Sequence, residues 1–174
     1  MKSMKLEEKI KNEVLDFIAS RKSLHLATIT GAGEPFISYA PFALGDNCIY
    51  VLISEIALHA VNLQELPKGS VMMVEDEGTA KELFARIRVS YSVDSQMLDH
   101  DKEEWIKGIK IMAARHGDRI KNLSELSDFK LFKLLPISGR YVKGFGRAYS
   151  LAGGSLAGDL VQHLRDGHKK RAVA

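Results

Sequence analysis

The segment 24–44, LHLATITGAGEPFISYAPFAL, constrains the fold of this 174-residue chain more than any other stretch. Up to residue 30 its residues alternate as side chains do on the two faces of a β-strand. Gly31, Gly33 and Pro35 then predict a tight turn, and the aromatic and β-branched residues that follow favour a returning strand. An isolated hairpin is barely stable in water, so this segment predicts a larger sheet.

The flanking segments predict an α+β protein. Apolar residues at helical spacing predict helices over 4–20 and 102–115, and a third helix is expected between Ser54, as its N-cap, and Pro67. Further strands are predicted at 48–53, 70–75, 84–93, 129–134 and 139–146. Adjacent strands with short turns favour antiparallel pairing, and closing the sheet removes its exposed edges. We therefore expect a small antiparallel β-barrel flanked by helices.

The character of the sequence changes after residue 149. The stretch SLAGGSLAGDLVQHLRDGHKKRAVA is rich in glycine and then basic. Such a sequence is typical of an appendage that docks late or stays mobile. We therefore expect a barrel domain over residues 1–149 and a C-terminal tail over residues 150–174.

Composition and motifs exclude several functional classes. The net charge of +3 is too small to predict nucleic-acid binding. Cys48 is the one cysteine of the sequence, so no internal disulfide forms and nothing indicates an oxidising compartment. Since the first residues lack a signal-peptide core and no run of about 18 apolar residues exists, we expect a cytoplasmic protein without a membrane span. The six histidines form no HxxxH or HExxH pair, and no CxxC, GxSxG or P-loop motif is present.

Five segments carry a resemblance to a known family: LATITGAGEPFISYAPF, YVLISEIALHAVNL, FARIRVSYSV, FKLFKLLPISGRYVKGFGRA and the histidine-bearing tail. They span most of the chain and resemble the FMN-binding split β-barrel proteins related to pyridoxamine-phosphate oxidase. The GRYVKGFGRA segment and the terminal histidine narrow the resemblance to the haem-utilisation proteins of the HutZ and HugZ type. This resemblance implies a homodimer that binds haem near the subunit interface.

The resemblance also implies that a histidine of the tail is the axial ligand of the haem iron. His168 matches the terminal ligand of the family best, and His163, five residues earlier, is the alternative; a neutral imidazole suits iron. Asp128 matches an acidic residue that accepts the other N–H of the ligand and reaches across from the second subunit. Its alternative role is to end a helix or cap a turn. Lys169 and its basic neighbours are expected to pair with the haem propionates.

Three further residues are expected near haem. Arg88 matches a family arginine close to the haem, and Arg86 alternates in phase with it, so both are expected on one face of a strand. Two arginines that face the core need an anionic partner, because burying their charges is costly. On a solvent-exposed face they need no such partner. His59 is expected to pack or to contact haem transiently rather than to ligate iron.

The resemblance therefore implies a haem-binding and haem-degrading protein. O₂ and an external electron donor would open the ring and release iron with a biliverdin-type product, or the protein would store and deliver haem. The alternative is an FMN-dependent oxidase or reductase of the same superfamily, with the flavin phosphate held by Arg86, Arg88, Ser38 and Lys143. A third interpretation is a barrel that binds partner proteins and no cofactor.

Overall fold

A computed structural model describes residues 2–164, with side chains from Met4 onward. The helices are α1 (Lys2–Ser20), α2 (Leu58–Glu65), α3 (Glu103–His116) and α4 (Arg119–Ser124), and two 3₁₀ turns lie at Glu77–Thr79 and Leu83–Ala85. The strands are β1 (Ser23–Ile29), β2 (Pro35–Leu44), β3 (Ile49–Ser54), β4 (Lys68–Val74), β5 (Arg88–Met97), β6 (Phe129–Val142), β7 (Ala148–Ala152) and β8 (Leu160–Leu164). None of the helices in this part of the chain has the length and hydrophobicity of a membrane-spanning segment.

Strands β1 to β6 close into an antiparallel barrel. Their order is β3-β2-β1-β4-β5-β6, and β3 also pairs with β6, so the first strand of this order meets the last. The hairpin of β7 and β8 continues the sheet from the second half of β6. The structure therefore confirms the predicted α+β fold, an antiparallel barrel flanked by helices.

β1 and β2 confirm the hairpin predicted over 24–44. The residues of β1 that face the barrel interior are buried, namely Leu24, Leu26 and Thr28. Gly33 has a φ of +82°, a conformation that favours glycine, and its N–H donates to the Thr30 carbonyl over 2.8 Å. Alternation and turn chemistry were thus sufficient to predict this element.

β3 is buried on both faces, which explains its continuous rather than alternating hydrophobicity. One face belongs to the barrel core, with Ile49, Val51 and Ile53. The other face lies in a second cluster, where Tyr50 and Leu52 pack with Trp105, Ile109 and Met112 of α3. The predicted apolar face of α3 is therefore the one that covers the outside of the barrel.

β6 is one strand of 14 residues rather than the two strands predicted around Pro136. Its first half pairs with β3 and its second half with β7, while β5 runs along both halves. The ladder with β5 shifts register between Ser92 and Val93, which leaves Ile137 as the extra residue. A bulge of this kind admits a proline without ending the strand.

Other predicted boundaries also differ from the structure. The predicted strand 84–93 includes a 3₁₀ turn, so β5 begins at Arg88 and continues to Met97. The N-cap of α2 is Ala57 and not Ser54, because Ser54 ends β3 and its hydroxyl bonds to Asp128. α4 was not predicted, since its six residues are too few to show a helical period.

The stretch that follows residue 149 is partly built into the sheet. β7 crosses that boundary and β8 ends at Leu164. Leu156, between the two strands, is 4% exposed, and its carbonyl accepts a hydrogen bond of 2.5 Å from the buried hydroxyl of Tyr91. The sheet thus continues to Leu164, and residues 165–174 lie outside the described residues.

We expect Tyr91→Phe to lower the free energy of unfolding by about 1–3 kcal/mol, because the buried Leu156 carbonyl loses its donor. Urea unfolding of the purified protein measures this change. Tyr39→Phe is a matched control, since Tyr39 is 67% exposed and its loss should cost less than about 0.5 kcal/mol. Equal free energies of unfolding for the two variants would contradict the stabilising role of the Tyr91 hydroxyl.

Candidate functional site

A cleft of about 660 Å³ lies where β5 begins and where β6 and β8 end. Strand residues that line it are Arg88, Ser90, Arg140, Val142 and Ala148. Phe84, the loop 144–146 and Leu164, the last described residue, complete most of its lining. Its volume is typical of ligand pockets, so we treat it as the candidate site and call it the arginine cleft.

The arginine cleft carries positive charge. In the ladder Arg88 lies opposite Val142 and Ser90 opposite Arg140, so the two arginines are diagonal neighbours on one face, within reach of one ligand. Among the described residues that line it there is no aspartate or glutamate. The Arg88 Nη1 donates to the Arg86 carbonyl over 3.0 Å, which leaves further N–H groups for a ligand. Two guanidinium groups in this arrangement suit an anion with carboxylate or phosphate groups.

Two aromatic side chains stand beside these charges. Phe84 is 88% exposed and Phe145 is 56% exposed. Gly144 and Gly146 flank Phe145 with positive φ angles of 142° and 64°, which only glycine adopts readily. Exposed aromatic rings next to a cleft are typical of a binding surface, and they add a preference for a flat apolar ligand.

Arg140 was missed by the sequence analysis. Its strand was predicted, but its position opposite Ser90 depends on the register between β5 and β6. Register is decided by the assembled sheet and its turns, and a one-residue slip would place the side chain on the other face. The sequence feature that could have identified Arg140 is its alternation with the buried Tyr141, which indicates that the Arg140 side chain faces outward.

Arg86 does not share the cleft with Arg88. Its Nε donates to the Glu75 carbonyl over 2.8 Å, and its Nη1 lies 3.4 Å from the Glu77 carboxylate. It lines a different depression, between the end of α1 and the end of β4. The expected common face of the two arginines is therefore wrong, because the alternation was read through a 3₁₀ turn and not through a strand.

The residues of the flavin alternative lie apart. Arg88 lines the arginine cleft, whereas Ser38 lies on β2 beside Tyr39 in another depression. Lys143 forms an ion pair with Glu13 of α1. With Arg86 also elsewhere, these four residues do not meet within one chain.

Asp128 lies at the opposite end of β6 from the arginine cleft. Its Oδ2 accepts a hydrogen bond of 2.5 Å from the Ser54 hydroxyl, and its backbone carbonyl accepts one of 2.8 Å from the N–H of Glu55. Asp128 lies in the turn between α4 and β6, and its carboxylate bonds the side chain of a strand residue. A second cleft, of about 460 Å³, is lined by both neighbours of Asp128 and by Trp105.

The length of β6 separates Asp128 from the arginine cleft. Fourteen residues extend about 45 Å along a strand, although the barrel curves this path. From Leu164, the four residues to His168 reach at most about 14 Å. His168 and Lys169 lie outside the described residues.

His163, the alternative ligand, is engaged within the β7–β8 hairpin. Its ring packs against Tyr149 with centroids 5.0 Å apart, and its Nε2 lies 2.9 Å from the Gly146 carbonyl. Since a carbonyl only accepts, Nε2 carries the proton in this contact. This bond would have to break before Nε2 could ligate iron.

His59 is 6% exposed on α2, and its Nε2 has no hydrogen-bond partner among the described residues. Burial lowers the pKa of His59, so the folded protein favours the neutral ring. Beside it on α2, the Asn62 amide donates to the Thr28 hydroxyl over 2.9 Å. These surroundings favour the packing role over a ligand role.

Comparisons with known sequences agree with this fold. The family model described as pyridoxamine 5′-phosphate oxidase matches residues 10–143. A Vibrio cholerae protein of serotype O1 named heme oxygenase HutZ is 45% identical over 170 residues, which cover 98% of this chain and 96% of that protein. The chain is thus similar to this relative over nearly its whole length.

Comparisons with solved structures give the same result. A crystal structure of HutZ, described as the heme storage protein from Vibrio cholerae, has a TM-score of 0.70 and 45% identity, and covers 73% of this chain and 89% of that one. The crystal structure of Campylobacter jejuni ChuZ has a TM-score of 0.83 and 31% identity, over 95% of this chain and 67% of that one.

We expect the free energy of unfolding to fall as the pH drops below about 6.5, partly because of His59. Its pKa is lowered by burial in the folded state, so the unfolded chain binds more protons and acid favours unfolding. His59→Gln should therefore flatten the stability profile between about pH 7 and pH 5. Urea unfolding at each pH measures the profile.

Ile56→Ala provides the control for this titration, since Ile56 is 90% exposed and carries no ionisable group. It should leave the slope of the profile as in the wild type. A slope that His59→Gln leaves unchanged would show that His59 is not buried as a neutral ring.

Proposed function

This chain belongs to the pyridoxamine 5′-phosphate oxidase family as a haem-utilisation protein of the HutZ type, and from this we propose that it binds haem and opens the porphyrin ring to release iron. Storage and delivery of intact haem is the variant of this proposal, since the HutZ crystal structure is described as a heme storage protein. We favour ring opening because the relative that is similar over 98% of the chain is named a heme oxygenase.

The observation on this chain that carries the proposal is the relation between the arginine cleft and the tail. Leu164, the last described residue, lines the cleft. His168 follows four residues later, a span of at most about 14 Å of chain. This short separation in sequence supports a histidine of the tail as the ligand of a haem bound in the cleft.

The side chains of the cleft fit haem. Arg88 and Arg140 supply two cationic forks for the two propionates, and Phe84 and Phe145 supply aromatic surface for the porphyrin. Bound haem would supply the reactivity toward O₂, with electrons from an external donor. The protein's own contribution is to hold the propionates, to orient the ring and to present one imidazole. The buried thiol of Cys48, the single cysteine, supports a cytoplasmic location.

We propose His168 as the axial ligand, with His163 as the alternative and Lys169 as a further propionate contact. The bond from His163 to Gly146 supports His168, because His163 already takes part in the hairpin. In this proposal residues from 165 onward form the ligand-bearing tail, and the sheet ends with β8.

We propose a homodimer, which the position of Asp128 supports. Leu164, the last described residue, lines the arginine cleft, whereas Asp128 lies at the other end of β6. An Asp128 that accepts the N–H of the ligand histidine would therefore belong to a second copy of the chain. Such a carboxylate fixes the orientation of the imidazole and increases its donor strength toward iron.

We expect His168→Ala to abolish both the five-coordinate haem spectrum and the degradation of bound haem. Titration with ferric haem, followed by ascorbate and air, should give a Soret band that then decays with iron release in the wild type. His163→Ala is the matched control and should keep the five-coordinate spectrum. A Soret band that persists in the wild type would establish storage, and loss of the spectrum in His163→Ala alone would make His163 the ligand.

We expect heterodimers of Asp128→Asn with His168→Ala to contain one intact site and one doubly defective site. The intact site combines His168 of the first variant with Asp128 of the second. The iron–histidine stretch in the resonance Raman spectrum of ferrous haem should then show about half of the wild-type intensity.

Two different affinity tags allow these heterodimers to be isolated. Absence of the wild-type band from the heterodimer would mean that Asp128 does not act on the histidine of the other chain. A protein that sediments as a monomer with haem bound would contradict the homodimer directly.

A further inference from the structure

A hydrogen bond joins the Ser54 hydroxyl to the Asp128 carboxylate, two residues that are 74 apart in sequence. Ser54 is the last residue of β3 and lies opposite Phe129 in the β3–β6 ladder. Its Oγ lies 2.5 Å from the Asp128 Oδ2. Both residues are half-buried, so the bond is partly protected from competition by water.

The direction of this bond is fixed by a third group. The backbone N–H of Ile56 donates to the Ser54 Oγ over 3.1 Å. The Ser54 hydroxyl has one hydrogen. Because its oxygen accepts from the Ile56 N–H, the hydroxyl can donate this hydrogen to the Asp128 carboxylate. Ser54 is therefore a donor held in one orientation toward Oδ2, which leaves the lone pairs of Oδ1 for another partner.

The backbone of Asp128 is held independently of the Ser54 side chain. Its carbonyl accepts from the N–H of Glu55 over 2.8 Å, and the next residue, Phe129, donates its N–H to Leu126 over 3.1 Å. Lys130 adds an ion pair of 3.6 Å with Glu55. The side-chain torsions of Asp128 thus remain the free variable, and the Ser54 hydroxyl is the contact that restrains them.

We propose that Ser54 is a positioning residue for the haem site, which acts by holding the Asp128 carboxylate in the orientation that accepts the N–H of the ligand histidine from a second copy of the chain. This inference rests on the proposed function and extends it by one residue. Ser54 touches neither haem nor iron in this arrangement. Its effect passes through Asp128 to the imidazole and so to the strength of the iron–histidine bond.

The test compares resonance Raman spectra of ferrous haem bound to the full-length wild type, Ser54→Ala and Asp128→Asn. In Ser54→Ala the Asp128 side chain samples other rotamers, so we expect the iron–histidine stretch to move to lower wavenumber, part of the way toward its position in Asp128→Asn. We also expect haem affinity to fall by about threefold to tenfold, at or below the lower end of what loss of a direct partner of a metal ligand costs.

Two further variants separate positioning from general damage. Ser54→Thr keeps the hydroxyl and should return the stretch to its wild-type position. Ser127→Ala removes an exposed hydroxyl next to Asp128 and should have no effect. Circular dichroism and the sedimentation coefficient of each variant verify that the folded dimer is retained.

The other outcomes overturn the inference in distinguishable ways. If Asp128→Asn shifts the band and Ser54→Ala leaves it at the wild-type position, the role of Ser54 is wrong and the proposed function stands. A shift to higher wavenumber in Ser54→Ala would mean that the Ser54 hydroxyl only withdraws negative charge from the Asp128 carboxylate. This result would also contradict the positioning role of Ser54. Absence of an iron–histidine band from the wild type would overturn the histidine ligation, and this inference with it.

Discussion

The pairing of β3 with β6 is the constraint on which the rest of the structure depends. It closes six strands into a barrel, and it does so with two strands that are far apart in sequence. The same pairing places Ser54 opposite Phe129 and so brings the Ser54 hydroxyl to the Asp128 carboxylate. Burial of β3 on both faces drives this closure, because each face contributes apolar residues to a different cluster. The strand pairing that stabilises the barrel thereby also determines the orientation of Asp128, a residue of the proposed function.

β6 distributes the candidate site over two ends of the molecule. The bulge at Ile137 lets the strand change partners, from β3 in its first half to β7 in its second. Asp128 precedes the first half, whereas Arg140 lies in the second half at the arginine cleft. A site that needs both ends would be incomplete in one chain, and a symmetric pair in which the two ends meet would complete it. The length of β6 therefore supports the proposed homodimer.

The hairpin, the first helix, β3 and the apolar face of α3 were predictable because local pattern and tertiary environment agree there. Residues 24–30 alternate, and the barrel buries the same face that the pattern selects. Arg86 shows the opposite case, since an alternating pattern continued through a 3₁₀ turn that has no strand partner. Ser54 was assigned to a helix cap because serine is a common N-cap, but a contact with Asp128, 74 residues away, takes its hydroxyl. Neither the register that aligns Arg140 with Arg88 nor the β7–β8 pairing of a glycine-rich stretch has a local signal.

The charge of the arginine cleft favours an anionic ligand. The cleft is lined by Arg88 and Arg140 and by no carboxylate among the described residues. Like charges in a partly dehydrated cleft repel each other, so a ligand with two negative charges would stabilise this arrangement. In the proposed function, the two propionates of haem would neutralise the arginines, the apolar ring would lie against Phe84 and Phe145, and a histidine of the tail would bind the iron. A flavin phosphate would also neutralise the arginines, but it offers an imidazole no metal to bind. Haem is therefore the ligand for which the charges of the cleft, its aromatic surface and the histidine of the tail all have a partner.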